Sequence, residues 1–171
     1  PATAGVEGEG DGEVMGVGDT FGEAFAKACL GAGEVLPKSG RVFMSVKESD
    51  KVGLVPVARS FVELGFTLVA TSGTRRELES AGLECELIRK VNEGRPDVSD
   101  LLKNERIDLI VNTTEGRQSI ADSAIIRRLA LQKKVCYTTT LAGAEAISFA
   151  IRQGPGERVH RLQDLHRAIT G

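Results

Sequence analysis

The sequence predicts an α/β fold: a doubly wound, three-layer α/β/α arrangement around a five-stranded parallel sheet. Three observations predict it. Between residues 40 and 151, five short apolar runs alternate with segments whose apolar residues recur at helical spacing. Each run is followed by such a segment, and only crossovers can join parallel strands. Finally, 171 residues with 41% hydrophobic content suffice for one ordinary core and a short appendage.

The elements follow in order. Residues 1–18 carry Gly5, Gly8, Gly10, Gly12, Gly16 and Gly18, a density that reads as a flexible or extended arm without a fold of its own. From Asp19 or Thr20, either a helix cap, Phe21, Ala24, Phe25, Ala28 and Cys29 recur at spacings of three and four until Gly31 and Gly33 end the helix. A break at residues 36–40 precedes the first strand, 41–46. A helix over 52–64 follows, with Pro56 tolerable only in its first turn, and Gly65 ends it. The second strand is 66–70, the second helix 74–80 with its stop at Ala81 and Gly82, and the third strand 84–88. Asp97 or Ser99 opens a short helix to Lys103. A strand over 108–111, a helix over 119–132, a strand over 135–138 and a helix over 142–151 complete the alternation, and residues 159–169 add an outer helix.

Charge and composition exclude several classes. A net charge of −2 argues against a general nucleic-acid binder. Residues 1–40 hold seven acids and two lysines, a net of −5, which leaves the remainder at +3, suited to an anionic ligand. Cys29, Cys85 and Cys136 form no CxxC pair, so neither a disulfide framework nor a metal site is expected. Cys85 and Cys136 sit in apolar runs and read as buried, inert thiols. No apolar run reaches the roughly 20 residues that span a bilayer, and no secretory leader is evident, so a cytoplasmic, non-membrane protein is expected. The start at Pro1 suggests a processed or excised chain.

In open parallel sheets, ligands bind outside the carboxyl ends of the strands, where helix N-termini favour anions. The strand ends here carry residues 45–51 with Lys51, then Thr71, Ser72, Gly73 and Thr74, then Lys90, then Asn112, Thr113 and Thr114, then Thr138, Thr139 and Thr140. Neutral hydroxyl donors, helix-end N–H groups and two ammonium groups together suit one phosphate. Each residue alone has a plainer reading, Thr71 to Thr74 as a helix cap and each lysine as a solvated charge; their convergence on one sheet edge favours a site. Catalysis finds little support, because His160 and His166 lie near the C-terminus and no nucleophile–base pairing stands out. The acidic stretch 8–12 follows no strand and is not a phosphate loop.

With these residues in hand, residues 40–151 resemble the C-terminal allosteric domain of the large subunit of carbamoyl-phosphate synthase, a methylglyoxal-synthase-like domain. The blocks that carry the resemblance are Ser45-Val46 with Asp50-Lys51, residues 70–74, residues 90–96, residues 112–114, Asp122-Ser123 with residues 126–128, and residues 137–141. Residues 12–16 and 21–28 resemble the end of the ATP-grasp synthetase unit that precedes this domain, which divides the chain into an arm and helix over 1–39 and an allosteric domain over 40–171. By this resemblance the chain looks like the tail of a larger protein.

The resemblance implies a regulatory domain of carbamoyl-phosphate synthase, in arginine and pyrimidine biosynthesis, that binds uridine or inosine monophosphate and has no catalytic residues of its own. Effector contacts would fall on Lys51, Thr71, Thr74, Lys90, Asn112 and Thr114, and ornithine-side contacts on Tyr137 and Thr139. The implied partners are the synthetase units, the glutaminase small subunit and the nucleotide, with contacts between copies left open. No metal or cofactor is implied for this chain, whereas the parent ligase would use ATP with magnesium or manganese. Two enzymes share the fold. A methylglyoxal synthase would carry a Gly-Gly-Asp pattern where Glu93-Gly94-Arg95-Pro96 stands, and the cyclohydrolase domain of the bifunctional purine enzyme resembles residues 49–54 and 71–74 but not 92–97.

Overall fold

The computed structural model describes residues 2–7, 13–91 and 93–154. The expected C-terminal helix over 159–169, both histidines and the stretch 8–12 lie outside the described residues. The chain divides into two compact units, one of residues 1–34 with 149–171 and one of Val35–Ser148.

In the first unit the glycine-rich opening is not an extended arm. β1 (Ala2–Glu7) and β2 (Glu13–Gly18) pair antiparallel, with Ala2 opposite Gly18. Helix α1 (Phe21–Gly31) is capped by Thr20, whose side chain accepts the Glu23 N–H at 3.2 Å. The glycines serve packing. A Cβ on Gly16 would stand 1.9 Å from the Ala24 carbonyl oxygen, so this strand lies directly on the α1 backbone. Ala24 and Ala28, both fully buried, provide the flat helix face that this approach requires.

In the second unit β3 (Gly40–Ser45), β4 (Phe66–Ala70), β5 (Cys85–Leu87), β6 (Leu109–Asn112) and β7 (Cys136–Thr138) form one parallel sheet in the order β5-β4-β3-β6-β7. Between them run α2 (Lys51–Glu63), α3 (Ser72–Ser80), α4 (Val98–Lys103) and α5 (Arg117–Lys133), and α6 (Leu141–Gln153) follows β7. The three-layer parallel sheet expected from the sequence is therefore present. Its strands alternate in side-chain direction. Phe43, Val69 and Ile110 join Val98, Leu101, Leu102, Ile126 and Ala130 of α4 and α5 in one cluster. Val42, Met44, Leu109 and Val111 are equally buried on the opposite face, and so are Leu54, Ala58 and Phe61 of α2. Both faces are covered, as parallel sheets require.

Two helices, α2 and α3, differ locally from the sequence expectation, and a third, α4, takes one of the two caps the sequence offered. Pro56 lies in the interior of α2, beyond the first turn. The hydrogen bond it forgoes is the one to the carbonyl of Val52, a residue 92% exposed. Helix α3 begins at Ser72, two residues early, with Thr71 as its N-cap. Helix α4 takes Asp97 as its cap: Asp97 accepts the N–H groups of Ser99 at 2.8 Å and Asp100 at 3.2 Å, and Asp100 returns a bond to the Asp97 N–H. Among the described residues no helix is long and apolar enough to cross a membrane.

Strand order fixes where a site can form. From β3 the chain winds towards β4 and β5, and from β6 it winds the other way to β7. The carboxyl ends of β3 and β6 are neighbours, Ser45 opposite Asn112, and from them the chain departs in opposite directions. That switch point is where a crevice opens in such sheets.

Candidate functional site

Two adjoining cavities lie at this end of the sheet. One, of about 360 Å³, is lined by residues that include Lys51, Thr71, Gly73, Thr74, Lys90 and Thr113. The other, of about 430 Å³, has an apolar wall of Phe43, Val91, Val98 and Ile126 and polar groups from Asn112, Asp122 and Ser123. Ser45, Lys90, Glu115 and Ser119 line both.

The smaller cavity is built around the start of α3. The Thr71 side chain accepts no backbone N–H of its helix, and the N–H groups of Ser72, Gly73 and Thr74 have no hydrogen-bond partner among the described residues. These are the orphan donors of a helix N-terminus, where the helix dipole also favours negative charge. Thr71 and Thr74 are 3% and 2% exposed, so their hydroxyls lie deep in the wall. Thr74 Oγ1 accepts the Val46 N–H at 3.1 Å, and Thr71 Oγ1 lies 3.3 Å from Ser45 Oγ and 3.4 Å from Thr74 Oγ1. The Lys51 ammonium stands over this turn, 3.7 Å from the place a Cβ on Gly73 would take, and pairs with Glu48 at 2.6 Å. Glycine at 73 thus keeps the approach to the N–H groups open. Lys90, exposed, reaches the same cavity from beyond β5.

Across the switch point the loops after β3 and β6 are tied together. The Thr113 N–H donates to the Ser45 carbonyl at 2.9 Å, and the Lys47 N–H donates to Thr113 Oγ1 at 3.0 Å. Asn112, 4% exposed, donates from Nδ2 to Ser123 Oγ at 2.9 Å and to the Tyr137 hydroxyl at 3.2 Å. Its Oδ1 has no partner among the described residues.

Of the residues singled out in the sequence, Lys51, Thr71, Thr74 and Lys90 line one cavity and Asn112 the other. Thr114 lines neither; its neighbour Thr113 does. Tyr137 touches the larger cavity through Asn112, while Thr139 is exposed and lines neither. Sequence reasoning did not single out Ser45, Glu48, Thr113, Glu115 or Ser119. The first three stand in strand-end segments it had flagged; Ser119 and Glu115 enter because α5 starts at Arg117, earlier than expected.

A larger cavity, about 1140 Å³, lies at the opposite, amino end of the sheet, among residues such as Arg41, Thr67, Cys85, Glu86 and Asp108. Within it Arg41 pairs with Glu86, and the Arg41 N–H donates to Asp108 at 2.7 Å. Helices begin at the other end, so no helix N-terminus serves it. Chemistry, not size, selects the carboxyl-end cavities. No group of three or more His, Cys, Asp or Glu among the described residues is arranged to hold a metal ion.

Comparison with known proteins agrees with this geometry. A family model described as the MGS-like domain matches residues 53–139. The carbamoyl phosphate synthase large chain of Pseudomonas aeruginosa is 58% identical over 165 residues, covering 96% of this chain and 15% of that protein. That of Pseudomonas syringae pv. tomato is 57% identical with the same coverage, and that of Pasteurella multocida 48% identical over 159 residues, covering 92% of this chain. The chain spans about 15% of the length of the relatives it matches. A solved structure titled "Crystal structure of ForH" aligns with a TM-score of 0.48 at 20% identity, covering 70% of this chain and 83% of that one. With a parallel sheet in this order, a polar crevice at its switch point and a family match that runs from α2 to β7, the chain belongs to the MGS-like domain family and aligns with the C-terminal region of carbamoyl phosphate synthase large chains.

Proposed function

We propose that the chain is a regulatory domain that binds a nucleoside monophosphate, with the phosphate on the first turn of α3 and the nucleoside in the adjoining cavity. The observation that carries this reading is the three N–H groups of Ser72, Gly73 and Thr74, without partners among the described residues, beside two buried hydroxyls and the Lys51 ammonium. An anion satisfies all of these at once. The apolar wall of Val91, Val98 and Ile126 suits a base, and the unpartnered Asn112 Oδ1 suits an N–H or hydroxyl of the nucleoside.

In a full-length carbamoyl phosphate synthase large chain, the domain would adjust the synthetase units through a nucleotide that binds two of its states unequally. The synthetase chemistry, with its ATP, its divalent metal and its glutaminase partner, belongs to the rest of that larger protein. Uridine and inosine monophosphates are the proposed effectors. Any ornithine contact by Tyr137 and Thr139 would be completed by groups outside this domain. Calorimetric titration of the chain with both nucleotides tests the reading, with saturable heat at sub-millimolar ligand expected and no heat at millimolar ligand contradicting it. Incubation with dihydroxyacetone phosphate is expected to give no methylglyoxal.

A further inference from the structure

Glu48 opens the short turn Glu48–Asp50 that leads into α2, and its side chain is 84% exposed. Despite that exposure it ends on the smaller cavity, with Oε2 2.6 Å from the Lys51 ammonium. No other acceptor among the described residues lies within hydrogen-bond reach of that ammonium. Lys51 itself is held from below: its side chain is only 21% exposed, and its ammonium stands over Gly73 at the head of α3. The carboxylate stands at the place where phosphate oxygens would gather.

We propose that Glu48 is a built-in competitor of the phosphate site: its carboxylate holds the Lys51 ammonium, and the phosphate of a phosphate monoester must displace it, so Glu48 sets the affinity of the site. The inference rests on the phosphate-site reading above. Its physical basis is twofold. Phosphate and carboxylate oxygens sharing one ammonium would lie within a few ångströms of each other, where like charges repel even in a solvated setting. The Glu48–Lys51 pair is exposed on the glutamate side, so opening it is inexpensive and the carboxylate swings into solvent. The competitor thus weakens binding without abolishing it. It also favours a ligand with a doubly charged phosphate over singly charged anions, because only the stronger acceptor wins the lysine.

The test is calorimetric titration of the full 171-residue chain, with uridine monophosphate and with inorganic phosphate as separate probes. Glu48→Gln is expected to tighten both by roughly two- to fivefold, the upper part of the range in which removal of an exposed ion pair is felt. Glu48→Asp keeps the charge and is expected to stay within about twofold of the parent. In a Lys51→Ala background the gain from Glu48→Gln is expected to shrink to below about twofold, since nothing remains to be contested. Weaker or unchanged binding by Glu48→Gln, or an equal gain in the Lys51→Ala background, would overturn the proposal and leave the phosphate site standing. Absence of binding by parent and variant alike at millimolar probe would overturn both.

Discussion

Thr74 is 2% exposed, and its hydroxyl oxygen accepts the Val46 N–H while its own proton remains available to the cavity. One side chain thus joins the β3 loop to the start of α3 and offers a donor to a ligand. Residues of this kind were legible in the sequence, because Thr71, Thr74, Lys51 and Lys90 combine a telling residue type with a place at a strand end. Thr113 was named at a strand end, yet Thr114 was preferred as the contact; β6 ends at Asn112, one residue later than expected, and Thr113 is the one that lines the cavity. Glu48 stands three residues before Lys51, a spacing that suits an ion pair on a helical turn, but its place on the cavity follows only from the fold. At this scale Lys90→Ala is expected to weaken nucleotide binding by about 1.5 kcal/mol, roughly tenfold, the lower end for a charge-assisted bond because Lys90 is exposed. Titration calorimetry reads it directly; unchanged affinity would place the phosphate elsewhere. Cys85, expected to be buried, is only partly so, and that burial pushes its thiol up from 9.0 to about 11. The thiol keeps its proton in the fold where the unfolded chain has lost it, so stability falls as pH rises from 9.0 towards 11. Alkylation at pH 8, followed by mass spectrometry of each cysteine, is expected to be on the order of a hundredfold slower at Cys85 in the native protein than in urea.

Elements show where local reasoning succeeds and where it stops. The strands of the second unit were readable because each is a short apolar run bounded by breakers, and a sheet buried on both faces demands such runs. The hairpin of the first unit was not readable, since the same glycines that suggest a loose arm are also what a strand needs to lie on a helix backbone. Flexibility and close approach both select glycine; only tertiary packing decides between them. Gly16→Ala separates the two readings. Its Cβ would meet the Ala24 carbonyl oxygen at 1.9 Å and the Ala28 nitrogen at 2.6 Å, both backbone atoms that cannot turn aside. We expect a loss of stability of about 1–3 kcal/mol in the unit of residues 1–34, seen as faster amide exchange in α1. A flexible arm would tolerate the alanine without change. Pro56 teaches the complementary lesson, since one missing bond to an exposed carbonyl is tolerated in a helix whose apolar face is otherwise fully packed.

For the molecule as a whole, the strand order makes the site: with β3 and β6 side by side and their helices departing in opposite directions, hydroxyls and lysines distant in sequence face one crevice. We propose that this crevice, and not the larger amino-end cavity, takes a phosphorylated ligand on the first turn of α3. Amide proton and nitrogen shifts of the chain, followed during titration with uridine or inosine monophosphate, test it most directly. The largest saturable shifts are expected at Ser72, Gly73 and Thr74, with smaller ones at Lys47 and Thr113. Shifts centred on Thr67 and Cys85 instead, or none at millimolar nucleotide, would contradict it.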